Sequence, residues 1–322
     1  MLVVVLVVPA TLRSTDLPAP FDQTVIERLN ETKPSAIFLG NSLLDTRINA
    51  DYLTQLTGVS TESLAIEGTA PGIWYLQLQN VLAATEETPE LVYVFFHDDL
   101  ITRPIYFTGQ KDSALRDSLT HSNKSGYGEL PSESRTLGDE IKNVFTTIYP
   151  VAESRSKSNR SPISSIGAGL AGMTQEELSD ESGTLFSFTN IRDQAAEIQQ
   201  PKFHGTFDSM IDNSFLPLLI ESANSINAEL TLVRVAARPN NDGSPNEPQS
   251  LANYSSKLTD YLASANVRYV DMTAHVEEAG IDAAMYHDGY HLKHRFRETY
   301  TEFFAEWISS ISNNDDEDGS AQ

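Results

Sequence analysis

Short apolar runs that alternate with stripes of helical spacing constrain this chain more than any other feature. Ala36, Ile37, Phe38 and Leu39 form a run that stops at Gly40 and reads as a buried strand. Residues 63–66 form a second run, ending near Gly68. Trp74, Leu78, Val81 and Leu82 then recur at helical spacing behind Pro71. Residues 91–96 (LVYVFF) are a strong strand. Phe215, Leu218, Leu219 and Ile226 mark a helix, with Asp212, Asn213 and Ser214 available as caps. Residues 230–235 (LTLVRV) are a strand, Leu251, Tyr254, Leu258, Tyr261 and Leu262 a helical stripe, and residues 267–270 a strand again. Phe296, Tyr300, Phe303, Phe304, Trp307 and Ile308 share one face of a final helix. Strands separated by helices must pair in parallel, with both sheet faces covered. The pattern predicts a three-layer α/β/α domain around a five-stranded parallel sheet, with functional residues at the carboxyl ends of the strands.

The alternation breaks at about 104–207, which reads as a long insertion into a single domain spanning 33–312. Residues 117–136 and 153–166 are rich in Ser, Asn, Gly and Pro and read as loop. Residues 137–151 fit a helix, and Thr174 with Glu177 fits a capping box. At the start, residues 1–10 read MLVVVLVVPA, well short of the ~20 apolar residues that span a bilayer. This run reads as the remnant of a signal or membrane anchor beginning upstream, with a buried first strand as the alternative. Pro9 and a polar linker reaching residue 32 favour the anchor, and with it an extracytoplasmic location. Residues 313–322 carry Asp315, Asp316, Glu317 and Asp318 and read as a solvated, disordered tail.

Charge narrows the partners. Asp and Glu number 45 against 22 Lys and Arg, a net charge of -23. That field repels phosphate backbones and argues against nucleic acid. An acidic, Lys-poor surface also suits a saline habitat. There is no cysteine, which excludes disulfides, thiol catalysis and cysteine metal sites and leaves the redox compartment undecided.

Two segments far apart carry the chemistry. Gly40-Asn41-Ser42 directly follows the first strand. A serine on such a turn is placed for nucleophilic attack, because its oxygen and the adjacent N–H face one pocket. Read alone, the segment favours the other role of these residues, Asn41 or Ser42 as the cap of a following helix. The second segment is His287-Asp288-Gly289-Tyr290-His291-Leu292, ahead of the last helix. Asp288 can reach the ring nitrogen of His291 that faces away from substrate, fix its tautomer and stabilise the imidazolium formed when His291 takes a proton from Ser42. A surface loop, or a metal site of His287, Asp288, His291 and His294, is the competing interpretation. The one-turn His-Glu-x-x-His arrangement is missing, so no metal is assigned. Arg234 and Arg238 follow a strand toward the same edge, as substrate ligands or as a charge paired within the sheet. Asp45 and Arg47 lie near Ser42, at a pocket mouth or as a local ion pair. Trp74 and Trp307 read as core, His121 and His275 as surface.

Together the two segments resemble the blocks of the SGNH (GDSL-like) hydrolase superfamily, over about 33–103 and 207–308. The resemblance implies a flavodoxin-like SGNH fold, Ser42 as nucleophile, His291 as base and Asp288 as its acid partner. It implies Gly68 as an oxyanion donor through its N–H, and no cofactor. Where that family has Gly-x-Asn-Asp after the third strand, this chain has Phe96-His97-Asp98-Asp99. An ionised Asp98 cannot donate to an oxyanion. Either Asp98 is protonated, or His97 or another group such as Asn41 serves, or the site has only the N–H groups of Ser42 and Gly68. The insertion, the Ser-Leu-Leu-Asp of residues 42–45 and the apolar start also resemble the SGNH-type proteins that accompany membrane-bound O-acyltransferases in exopolysaccharide and cell-wall acylation.

Three function classes follow. The first is a serine acyl-enzyme catalyst acting on O-acyl (acetyl) esters of carbohydrate, passing the acyl group to water as an esterase or to a sugar hydroxyl as a transferase. The second is a non-catalytic carbohydrate-binding or assembly component of a polysaccharide acylation system. The third is a metal-dependent phosphoesterase.

Overall fold

The computed structural model describes residues 21–22, 24–103, 115–116, 118–119 and 206–319, with side chains through 310. In chain order the main elements are α1 (Thr24–Thr32), β1 (Ala36–Leu39), α2 (Ser42–Asp45), α3 (Ala50–Thr57), β2 (Thr61–Ser63), α4 (Pro71–Asn80) and β3 (Leu91–His97). After the insertion come α5 (Phe207–Met210), α6 (Leu216–Ser225), β4 (Glu229–Val235), α7 (Gln249–Ser264), β5 (Arg268–Asp271) and α8 (Arg297–Gly319). The strands form one parallel sheet in the order β2-β1-β3-β4-β5. The strand order reverses between β1 and β3, so their carboxyl ends flank a crevice at the topological switch point.

Period-two alternation divides the side chains between two cores. Ile37, Leu39, Val92, Val94, Phe96, Leu230 and Leu232 face one side, under Val25 and Leu29 of α1, Trp74 and Leu78 of α4, and Leu251, Leu258 and Leu262 of α7. Phe38, Tyr93, Phe95, Val233 and Val235 face the other, under Leu44 of α2, Leu53 of α3 and Phe304 of α8. The second core is aromatic at its centre. Phe38 stacks on Tyr93 at 4.8 Å between ring centroids, and Phe304 approaches both at about 6 Å. Trp74 is fully buried and Trp307 stacks on Phe304, as expected of core residues. No helix among the described residues is long and apolar enough to cross a membrane.

Four boundaries differ from expectation. The linker expected up to residue 32 contains α1, so the domain begins about a dozen residues earlier. Asp22 caps this helix, accepting from the Thr24 N–H at 3.0 Å, and Val25 and Leu29 meet the core one turn apart. The second strand lies at 61–63 rather than 63–66. Leu64 and Ile66 still donate to Phe38 and Gly40 carbonyls at 2.9 and 3.1 Å, so the edge continues as a looser ladder. Part of the insertion joins the core: Leu115 and Leu119 are buried in it, and Ser118 Oγ accepts from the Phe21 N–H at 3.0 Å. The tail expected to be disordered from 313 continues α8 to Gly319. Extending an established helix needs no new nucleus, so one further hydrogen bond per residue suffices. The apolar run 1–10, the helix expected at 137–151, the Thr174–Glu177 capping box and His121 lie outside the described residues.

Candidate active site

The turn carrying Ser42 is shaped by a glycine and an asparagine. A Cβ on Gly40 would stand 2.8 Å from Leu44 Cβ and 3.3 Å from the Phe95 carbonyl oxygen, so only glycine lets β1 pass this close to α2 and β3. Asn41 is the N-cap of α2: its side-chain oxygen accepts from the Leu43 N–H at 3.0 Å. Its amide donates to the Thr69 carbonyl at 3.3 Å. Asn41 therefore holds the Ser42 turn to the turn after β2, and of its two expected roles, helix cap and ligand contact, its hydrogen bonds serve the cap. Thr69 is fixed in turn by the Trp74 indole N–H at 3.0 Å. Gly68 sits in that turn at φ 72°, a left-handed conformation suited to glycine. Among the described residues, neither the Gly68 N–H nor the Ser42 N–H has a hydrogen-bond partner.

The opposite wall is the loop between β5 and α8. It is closed by a bridge between Tyr286 and Leu292 and by the His287 N–H donating to the His291 carbonyl at 2.8 Å. Asp288 organises it. Its Oδ1 accepts from the N–H groups of Tyr290 and His291, both at 2.8 Å, and its Oδ2 lies 2.9 Å from His291 Nδ1. His291 Nε2 lies 2.8 Å from Ser42 Oγ. A carboxylate on Nδ1 makes that nitrogen the donor and leaves Nε2 with a lone pair for the serine proton. Burial pushes the Asp288 carboxyl up, but the His291 ring and the two backbone N–H groups outweigh it and hold the group well below the usual carboxylate range.

The β3 edge carries a second imidazole and carboxylate. Asp98 is buried and adopts φ 49°, uncommon for a residue with a side chain. Its Oδ2 accepts from the Tyr290 hydroxyl at 2.7 Å and lies 3.2 Å from His97 Nδ1. The rings of His97 and Tyr290 are 4.8 Å apart. The Asp98 carboxylate is thus engaged by Tyr290 and His97.

Other sequence candidates separate cleanly. Arg234 is buried against Asp271 and Glu247 and serves the sheet. The Arg238 N–H donates to the Gly289 carbonyl at 2.9 Å, tying the end of β4 to the Asp288 loop. His275 contacts Glu278. Arg47 is neither at a pocket mouth nor paired with Asp45, which reaches Arg297 instead at 3.4 Å. It is fully buried beneath the site. Leu43, Leu44 and Ile48 around it signalled a buried position, but its carbonyl partners Ala236 and Tyr290 lie about 190 and 240 residues away in sequence. Among the described residues, no three His, Asp or Glu side chains converge in a way that would hold a metal ion.

No family model matches the chain, and no curated protein does. Solved structures similar in chain path include a Bacteroides fragilis protein provisionally described as an acylhydrolase, with 12% identity, 92% of each chain covered and a TM-score of 0.40. A GDSL-like lipase from Bacteroides thetaiotaomicron has 11% identity, covers 90% of this chain and 98% of its own, and has a TM-score of 0.39. The protein TesA has 13% identity, covers 85% and 96%, and has a TM-score of 0.37.

Proposed function

We propose that this chain is a serine-dependent acyl-ester hydrolase or acyltransferase. The observation that carries this reading is the continuous relay from Ser42 Oγ to His291 Nε2, and from His291 Nδ1 to Asp288, at the carboxyl edge of a parallel sheet. Ser42 Oγ attacks the acyl carbonyl while His291 Nε2 takes its proton. Asp288 stays ionised and stabilises the imidazolium. The unpartnered N–H groups of Ser42 and Gly68 receive the oxyanion, and His97 with Asp98 forms the wall on the β3 side. His291 then protonates the departing alkoxide, leaving an acyl-serine. Water or a sugar hydroxyl, deprotonated by His291, completes the cycle.

The substrate we infer is an acyl ester of carbohydrate, with acetyl as the acyl group. The site of action is outside the cytoplasm, with residues 1–10 as the anchor and a membrane-bound O-acyltransferase as partner. The apolar start and the long insertion that follows β3 in sequence support this narrower reading. Asp98, a carboxylate in place of a neutral donor, favours the second reading, a carbohydrate-binding component without turnover.

One experiment separates them. The purified protein and its Ser42→Ala variant are incubated with a short-chain aryl acetate, with and without an oligosaccharide acceptor. Intact mass and product release are followed. An acetyl adduct and turnover that fall on the order of 10⁶-fold in Ser42→Ala are expected. Acetylated oligosaccharide marks transfer. Equal turnover by both proteins ends the serine mechanism, and absence of both adduct and turnover favours the binding role.

A further inference from the structure

Arg47 is a buried charge, fully covered, with no carboxylate facing it among the described residues. Its surroundings are carbonyls and rings. Nη1 donates to the Leu43 carbonyl at 3.2 Å, and Nη2 donates to the carbonyls of Ala236 at 3.2 Å and Tyr290 at 2.7 Å. The rings of Tyr286 and Tyr300 lie 5.9 and 5.6 Å from the guanidinium carbon. Thr301 Oγ1 donates to the Arg47 carbonyl at 3.0 Å, pinning the backbone to α8.

These partners belong to different parts of the site. Leu43 follows Ser42 in the nucleophile turn. Ala236 ends β4. The Tyr290 carbonyl belongs to the same peptide unit as the His291 N–H. That unit is held on both edges: Arg47 grips its C=O, and Asp288 Oδ1 accepts its N–H at 2.8 Å. A guanidinium is planar and its two Nη atoms keep a constant separation, so it acts as a rigid spacer between the carbonyls it binds.

We infer that Arg47 is a positioning residue: one guanidinium, bound to Leu43 on the Ser42 turn and to Tyr290 beside His291, sets the distance between nucleophile and base. The inference rests on the serine mechanism above for its functional meaning, but its structural content can be measured separately. A lysine keeps the charge and most of the stem, yet its single nitrogen cannot span both carbonyls.

The test compares wild type, Arg47→Lys and Arg47→Ala, each checked for folding by circular dichroism and thermal melting. Two quantities are read: the rate at which a fluorophosphonate labels Ser42, and the downfield proton resonance of the His291–Asp288 bond. Arg47→Lys is expected to label about 10–100-fold more slowly, because an ångström of misplacement can cost that much. Its kcat for an aryl acetate falls while KM holds, and the downfield resonance shifts or broadens. Added guanidinium should restore labelling in Arg47→Ala, whereas methylammonium should not. Labelling at the wild-type rate with an unchanged resonance in Arg47→Lys overturns the proposal. So does equal rescue by the two cations, and so does failure of both variants to fold, which would make Arg47 a general core residue. A wild-type protein that is not labelled refutes the serine mechanism, and the resonance then still decides the role of Arg47.

Discussion

Two aspartate–histidine pairs stand at one edge of the sheet, and Tyr290 touches both. Its N–H donates to Asp288 and its hydroxyl to Asp98. In the loop before α8, Asp288 receives two backbone N–H groups, so its second oxygen is aimed at His291 Nδ1, and His291 meets Ser42 with its other nitrogen. Just after β3, the buried Asp98 spends one oxygen on both a tyrosine hydroxyl and His97. The first pair is oriented by backbone and ends on the Ser42 hydroxyl. The second is oriented by side chains and closes on Tyr290. An adjacent carboxylate therefore does not by itself put a histidine in contact with a hydroxyl it could deprotonate. What distinguishes the pairs is the third member and the backbone that aims the carboxylate.

Neutralising each aspartate should separate the pairs most strongly. Asp288→Asn would favour the wrong His291 tautomer and lower kcat for an aryl acetate by about 10⁴-fold, the scale of such a change in a serine triad. Asp98→Asn should alter it by less than about tenfold and should not raise it, since that side chain is engaged by Tyr290 and His97 and an amide oxygen can still accept from the Tyr290 hydroxyl. Steady-state kinetics of the two variants side by side would break the comparison if the order reversed. A marked rise in Asp98→Asn would return Asp98 to the oxyanion site.

Tyr290→Phe cuts the link between the pairs. It leaves a buried carboxylate short of one donor and should destabilise the protein by about 1–3 kcal/mol in denaturant titration. Turnover per folded molecule should fall only a few-fold, because the Asp288 bonds come from the backbone. A loss as large as that of Asp288→Asn would mean that the two pairs act as one unit.

The smallest expected effect lies in the pH dependence of stability. The folded pKa of Asp288 is depressed below its ordinary value of 3.8. A depressed carboxyl contributes stability that is fully present above its unfolded pKa and is lost as pH falls through the folded one. The stability difference between wild type and Asp288→Asn should therefore be constant near neutrality and shrink below about pH 4. Denaturant titrations at both pH values would show it, and a difference that grew in acid would contradict the bonding described for Asp288.

Much of this was legible in the sequence, and particular residues show why. β1 and β3 are buried on both faces, so their apolar runs announced them; residues 36–39 match the strand residue for residue. β2 is an edge strand of half-buried Thr, Glu and Ser paired with residues 36–38, whereas the apolar Leu64 and Ile66 lie just after it, so composition pointed two residues too late. Helix α1 carries a signal in Asp22, Val25 and Leu29, but a polar stretch between an apolar run and the first strand fits a linker equally well. Ser42 was visible after the first strand and Asp288 with His291 ahead of the last helix, and it was the pairing of the two segments, with the resemblance it carries, that joined them. Arg47 and Asp98 were placed near the site by the sequence, but their partners were not.

The sequence alone determined the class of fold and where the reactive groups must gather, because burial periodicity and the carboxyl ends of parallel strands are local properties of a chain. The tertiary structure decided which groups engage one another. It gave the Asp98 carboxylate to Tyr290, spent Asn41 on a cap and a tether, and buried Arg47 under carbonyls from three segments. Those contacts join residues separated by up to about 240 positions in sequence. Local spacing carries no information about such distances, which packing and hydrogen-bond satisfaction settle together.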